Sequence, residues 1–263
     1  MFWSYLAAYF PIKFRFTREF SLDPNENYIL SYHPHGIAAF GSVTAFATNG
    51  LGFKRLFPGI TARFMVHETS FLMPVMKETF ALRGDCSVNS QSIDYILSAK
   101  TKRGKAGNLL TIVVGGLAEA DLSDAEALKI VVAERKGFVK KALIHGANII
   151  PCIAFGENSV FTKVNFKPSS PMYRLESFWY NTFKFKHPIY YGRSLVSENL
   201  KGVMPYKRPI TVVMGDPISV QRQPNPSQAD IDQLHSHYLK QVRDIYEANK
   251  DLCSEYDRKL ELV

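Results

Sequence analysis

The chain has 263 residues, of which 46% are hydrophobic and 13% aromatic, with 19 Phe and 13 Tyr, and it carries a formal net charge of +8. That length suits one large α/β domain with a substantial core, and no Pro/Gly/Ser-rich linker or internal repeat divides it. Scattered cations without a DNA or RNA motif count against nucleic acid, and Cys86, Cys152 and Cys253 stand far apart, which counts against a disulfide framework or a structural zinc.

In chain order, Met1-Phe-Trp-Ser-Tyr-Leu-Ala-Ala-Tyr-Phe10 is amphipathic and aromatic. It is too short to cross a bilayer but suited to its interface, with Lys13, Arg15 and Arg18 behind it to meet anionic lipid. There is no secretory signal peptide and no run of about 18 apolar residues. Residues 28–31 read as a strand entering a turn with two imidazoles, His33 and His35, around Pro34 and before Gly36. Residues 37–48 read as a helix, 57–59 as a break, 62–66 as a buried strand, and the stretch after it as a helix interrupted by Pro74. A helix over 90–99 puts Ile93, Ile96 and Leu97 on one face. Residues 109–114 form a core strand ending at Gly115-Gly116. Residues 136–145 form a basic helix closed by Gly146, and 148–155 and 210–214 are further buried strands. Ser227 and Asp230 open the last helix as a capping box, and Ile231, Leu234, Tyr238, Val242 and Ile245 make a stripe read as core packing. Helices alternating with short apolar strands imply an α/β fold, a mixed and mostly parallel sheet flanked by helices.

Three strand-ending loops carry chemistry, and in a wound sheet they converge on one crevice. The first supplies imidazole, whose ordinary pKa of about 6.5 suits proton transfer near neutrality. Val114-Gly-Gly-Leu-Ala-Glu119 supplies backbone open to a ligand, and a carboxylate. Phe155-Gly-Glu-Asn158 supplies Glu157 and Asn158. Arg135, Lys136, Lys140 and Lys141 surround Gly137 at a helix start, which suits phosphate. Each part has a plainer reading: a tight turn at Gly115-Gly116, a solvated basic face, a structural Glu157. His67, His145, His187, His235 and His237 read as structural or surface groups.

Taken together, Tyr32-His-Pro-His-Gly36, Phe57-Pro-Gly59, Met73-Pro-Val75 with Glu78, Val113-Val-Gly-Gly116 with Glu119, Arg135-Lys-Gly-Phe-Val-Lys140 and Phe155-Gly-Glu-Asn158 resemble the type-2 diacylglycerol acyltransferase family, which includes monoacylglycerol and wax-type relatives. The likeness runs from about Tyr9 to the last helix. It implies a glycerolipid-acyltransferase-like fold with an interfacial N-terminal segment over 1–20 and an acyltransferase domain over 21–263. It also implies an enzyme of the endoplasmic reticulum membrane, on its cytoplasmic face, and of lipid droplets. Members usually begin with a membrane-entering hairpin, and this chain starts just after where that would end, as a short isoform, a truncated gene model or an interface-binding member would.

The resemblance points to transfer of a fatty acyl group from acyl-CoA to diacylglycerol without a cofactor, a metal or a covalent intermediate. A homo-oligomer is compatible with it. His35 is expected to be the general base. His33 or backbone at Gly115 and Gly116 would meet the oxyanion, and Gly36, Arg135, Lys136, Gly137, Glu157 and Asn158 would bind substrate. Related glycerolipid acyltransferases place an aspartate four residues after the histidine, but positions 37 and 39 here are Ile and Ala. The carboxylate that orients the imidazole is therefore expected from Glu119 first and Glu157 second. Two other readings compete: a monoacylglycerol or long-chain alcohol acyltransferase, and a non-catalytic lipid-binding relative. A His-x-His metallohydrolase lacks a convincing third ligand.

Overall fold

Two runs in this sequence, 28–33 and 148–155, are buried along their whole length, the pattern required of parallel strands covered on both faces. The computed structural model describes residues 2–98, 107–123, 127–164, 166–167, 169–183, 189–197, 200–253 and 258–263. In chain order its elements are α1 (Phe2–Tyr9), β1 (Lys13–Phe16), β2 (Tyr28–His33), α2 (Phe40–Ser42), α3 (Phe53–Leu56), β3 (Thr61–Val66), α4 (Met76–Arg83), β4 (Cys86–Ser87), α5 (Ser90–Ser98) and β5 (Asn108–Val113). They continue with α6 (Leu117–Asp121), β6 (Leu128–Ile130), α7 (Gly137–His145), β7 (Asn148–Phe155), β8 (Thr162–Lys163), α8 (Pro171–Phe183), β9 (Tyr190–Arg193), β10 (Lys201–Gly202), β11 (Thr211–Met214), α9 (Gln228–Ala248) and β12 (Leu260–Leu262).

Among the described residues, seven strands form one sheet in the order β1-β11-β7-β2-β5-β3-β4. From β7 through β4 the strands are parallel. β11 runs antiparallel to β7, and β1 joins β11 in parallel at the edge. The sheet is therefore mixed and mostly parallel, flanked by helices, as the alternation of elements predicts. β2 lies between β5 and β7, with Tyr32 opposite Val113 on one side and Cys152 on the other. The loops after these three strands thus leave the sheet side by side.

The two faces of the sheet are packed differently. On one, Ile29, Leu110, Ile149 and Ile153 meet Ile93, Leu97, Val139, Leu143, Val242 and Ile245 from α5, α7 and α9. On the other, Leu30, Tyr32, Leu109 and Ile150 meet a phenylalanine cluster that includes Phe10, Phe46, Phe53 and Phe57. Phe53 and Phe57 stand 5.2 Å apart, and Phe14 meets Phe46 edge-on at 5.7 Å. Much of the high aromatic content is therefore internal packing.

Where sequence and structure differ, the causes are local. The helix expected over 37–48 is a turn, the short α2, and a π-helical turn at Val43–Ala47. Gly36 and Ala39 both take left-handed backbone there, so the chain bends before it coils. The stretch after β3 is a 3-10 turn (Glu68–Leu72) followed by α4 beyond Pro74. α5 matches the helix expected over 90–99 through Ser98, and residue 99 lies outside the described residues. Within the N-terminal segment, Phe10 and Ile12 are buried in the core and Lys13–Phe16 is a sheet strand. The last helix opens with the expected capping box, Ser227 bonding Asp230 in both directions. Among the described residues no helix is long and apolar enough to cross a membrane.

Candidate active site

β2 delivers the His33-Pro34-His35-Gly36 turn to the sheet's C-terminal edge, and two buried carboxylates hold it from its two neighbours. Glu119, on α6 just beyond β5, accepts from His33 Nδ1 at 2.7 Å and from the His35 backbone N–H at 2.8 Å. The Val131 N–H also donates to Glu119, at 3.0 Å. Three donors on one buried carboxylate offset much of the cost of removing it from water. Glu157, just beyond β7, accepts from the Tyr32 hydroxyl at 2.7 Å and the Gly41 N–H at 3.0 Å. Burial and the Glu157 charge push the Tyr32 phenol well up, so it remains a donor.

The glycines explain the close approach. Gly36 has φ +55°, and a Cβ there would stand 2.8 Å from Glu157 Cγ. A Cβ on Gly41 would meet Glu157 Oε2 at 2.6 Å, and one on Gly115 would overlap the Glu119 carboxyl carbon. Gly115 is thus filled by its own carboxylate partner and is not a ligand floor. Gly116 takes φ +55° and ψ −147° with nothing within 4 Å of its added Cβ, so its side remains open. Its N–H, however, donates to Val113 O at 3.1 Å and is not free for an oxyanion.

The two imidazoles have different surroundings. His33 lies wholly inside, with Nδ1 on Glu119 and Nε2 2.9 Å from the Tyr238 hydroxyl. A carboxylate can only accept, so Nδ1 carries the proton and Nε2 accepts from Tyr238. Both ring nitrogens are engaged, which removes His33 from the oxyanion role expected of it. His35 is half-buried. Its Nδ1 donates to the Gly36 carbonyl at 2.9 Å, which leaves Nε2 as the lone-pair nitrogen, with no hydrogen bond to any other described residue. The expected carboxylate behind the His35 ring is therefore absent among the described residues. Glu119 grips the turn through His33 and the His35 amide, and Glu157 holds its two flanks through Tyr32 and the Gly41 N–H. Asn158 is buried, and its Oδ1 has no partner among the described residues.

α7 ends at His145, just before β7 begins, so its start lies at the same sheet edge as the histidine turn. Phe138, in its first turn, meets Tyr238 edge-on at 5.1 Å. His235, whose basicity burial lowers, donates from Nε2 to Val132 O at 3.0 Å and pins the loop before α7. Of the four expected phosphate cations, Lys136 pairs with Asp232 at 2.9 Å and Lys141 with Asp94 at 2.6 Å. Arg135 and Lys140 are exposed and make no ion pair among the described residues, and a Cβ on Gly137 would meet nothing within 4 Å. His145 also binds Asp94, His67 caps the Glu68–Leu72 turn and His237 is exposed; His187 lies outside the described residues. Sequence reasoning missed Tyr238 as a site residue. The one available signal was a phenol inside an otherwise aliphatic stripe, since a buried Tyr hydroxyl needs a partner.

A family model described as diacylglycerol acyltransferase matches residues 1–263. The chain is 37% identical over 248 residues to the acyl-CoA wax alcohol acyltransferase 1 of Mus musculus, covering 94% of this chain and 73% of that protein. To the diacylglycerol O-acyltransferase 2 of Bos taurus it is 38% identical over 248 residues, covering 94% and 67%. A crystal structure of the 1-acyl-sn-glycerophosphate acyltransferase from Thermotoga maritima aligns at a TM-score of 0.47 with 9% identity, covering 94% of this chain and 78% of that one.

Replacing Gly115 tests the packing of the turn. Gly115→Ala is expected to displace the Glu119 carboxylate and destabilise the fold by about 1–3 kcal/mol, the cost of leaving buried polar partners unpaired. Chemical denaturation of the two proteins reads this, and an unchanged midpoint would show that Glu119 does not need the space.

Proposed function

The chain belongs to the diacylglycerol acyltransferase family and is an acyltransferase, and from that premise we propose that it transfers a fatty acyl group from acyl-CoA to the free hydroxyl of diacylglycerol, with His35 as general base. The observation that carries the reading is the half-buried imidazole of His35, with Nδ1 committed to a carbonyl and Nε2 left as the basic nitrogen. In the reaction, Nε2 takes the acceptor's hydroxyl proton as the oxygen attacks the thioester carbon. The tetrahedral oxyanion then collapses and the C–S bond breaks. Coenzyme A leaves as a thiolate, and His35 returns the proton to it or to water.

No acyl-enzyme is needed. Burial pushes the Cys152 and Cys86 thiols up, which opposes the thiolate that a covalent route requires. Arg135 and Lys140, beside the open start of α7, suit the phosphates of coenzyme A. The relatives named for wax alcohols and for diacylglycerol are alike in identity, at 37% and 38%, so a long-chain alcohol is the second acceptor to be tried.

Such acceptors are insoluble, so the substrate must come from a bilayer or droplet. On this reading the enzyme works at the cytoplasmic face of the endoplasmic reticulum or on lipid droplets. Tyr5 on α1 is 68% exposed, and Leu72, Val75 and Leu82 around α4 are 79%, 77% and 89% exposed. Arg83 of α4 lies 6.0 Å from the Trp3 ring, so the two helices are neighbours. Exposed apolar side chains of this kind suit the interface. The cations behind α1 contribute less than the sequence suggests, because Arg15 pairs with Asp251 and Arg18 with Asp216.

Three experiments test these parts. His35→Ala should lower kcat by about 100- to 10,000-fold in folded protein. Turnover within about threefold of wild type would remove His35 as the base. The double substitution Arg135→Gln with Lys140→Gln should raise the KM for acyl-CoA and leave the acceptor KM nearly unchanged, and a rise in the acceptor KM alone would place these cations elsewhere. The intact chain should float with anionic vesicles, and Tyr5→Ser combined with Leu72→Ser, Val75→Ser and Leu82→Ser should release it. Equal flotation of both proteins would show that these side chains do not meet lipid.

A further inference from the structure

The C-terminal helix reaches the histidine turn through one polar atom, the Tyr238 hydroxyl. It lies 2.9 Å from His33 Nε2 and 2.8 Å from Ser31 Oγ, and all three side chains are fully buried. Ser31 and His33 alternate on β2, so they share the face that α9 covers. The directions of the hydrogen bonds form one chain. Ser31 donates to the Tyr238 oxygen, Tyr238 donates to His33 Nε2, and His33 Nδ1 donates to Glu119. Glu119 then accepts the His35 N–H through its other oxygen. Glu119 can only accept, which orients the chain from Ser31 toward it and leaves the His33 Nε2 lone pair facing the Tyr238 hydroxyl.

We propose that Tyr238 is a positioning residue of the acyltransferase reaction, holding His33 in one tautomer so that His33 and Glu119 together fix the backbone of His35. This rests on the reading of His35 as base. Burial pushes the Tyr238 phenol up, so its hydroxyl keeps the proton it donates. The ring is anchored separately, edge-on to Phe138 and within the stripe that packs α9 on the sheet. The hydroxyl can therefore be removed while the ring stays, and the two contributions can be told apart.

Tyr238→Phe deletes the hydroxyl alone. It is expected to lower kcat by about tenfold, the effect of one buried hydrogen bond, with the KM values for acyl-CoA and acceptor changed by less than about twofold. In isotopically labelled histidine, the His33 Nε2 resonance should move downfield as its hydrogen bond is lost, a change that packing alone would not produce. A folded Tyr238→Phe protein with kcat within about twofold of wild type, or with an unmoved His33 resonance, overturns the proposal. If Tyr238→Phe does not fold, Ser31→Ala serves instead, since it weakens the same chain from its outer end. It should lower kcat by about threefold and shift the same resonance, and an unmoved resonance there overturns the proposal equally. Failure of the base reading looks different: His35→Ala would then turn over normally. A silent Tyr238→Phe beside an inactive His35→Ala would leave His35 as base and remove Tyr238.

Discussion

A carboxylate buried beneath a backbone turn must be given donors, and Glu119 draws them from three separate segments. The His33 ring comes from β2, the His35 amide from the turn itself, and the Val131 amide from the loop that leads into α7. Removing one of these donors leaves the buried carboxylate under-satisfied, which typically costs about 1–3 kcal/mol. The sheet edge, the turn and the loop before α7 are therefore fixed together. Gly115 follows from the same demand, because a side chain there would occupy the space of the carboxyl group.

Glu157 repeats the device from the other side of β2. It bonds Tyr32 and Gly41, and its Cγ lies 2.8 Å from where a Cβ on Gly36 would stand. The turn is thus clamped between two carboxylates that never touch the His35 ring. This separates two tasks that a single aspartate can combine. The carboxylates hold the backbone, while the Gly36 carbonyl selects the His35 tautomer. A rigid backbone beneath a partly exposed imidazole is what proton transfer to a positioned acceptor needs.

Composition has a different meaning once the chain is folded. Phenylalanines that could have belonged to an interface line one face of the sheet, and Phe10 at the end of the amphipathic segment is one of them. Several cations are likewise taken up by pairing, with Lys136 on Asp232 and Lys141 on Asp94. Those pairs tie α7 and its leading loop to α9 and α5. Of that cluster, Arg135 and Lys140 are left without an ion pair among the described residues, and Tyr5 of α1 and Leu82 of α4 are among the apolar side chains exposed on the outer surface.

The parallel core strands, the last helix with its capping box, and the convergence of three loops on one edge were legible in the sequence. Uninterrupted apolar runs, the Ser227–Asp230 spacing and the glycine-flanked histidine turn are local signals that burial and hydrogen bonding enforce within a few residues. The short strands β1, β6 and β12 were not legible, because three or four residues carry too little period to distinguish them from loop. The division of labour at the site was not legible either. Which histidine is enclosed, and which carboxylate meets it, depends on contacts between residues 86 and 205 positions apart, at Glu119 and Tyr238. Sequence by itself determined the residue types and their order along the sheet edge. Only the tertiary structure decided their partners, because a side chain's hydrogen bonds are set by what the fold packs against it.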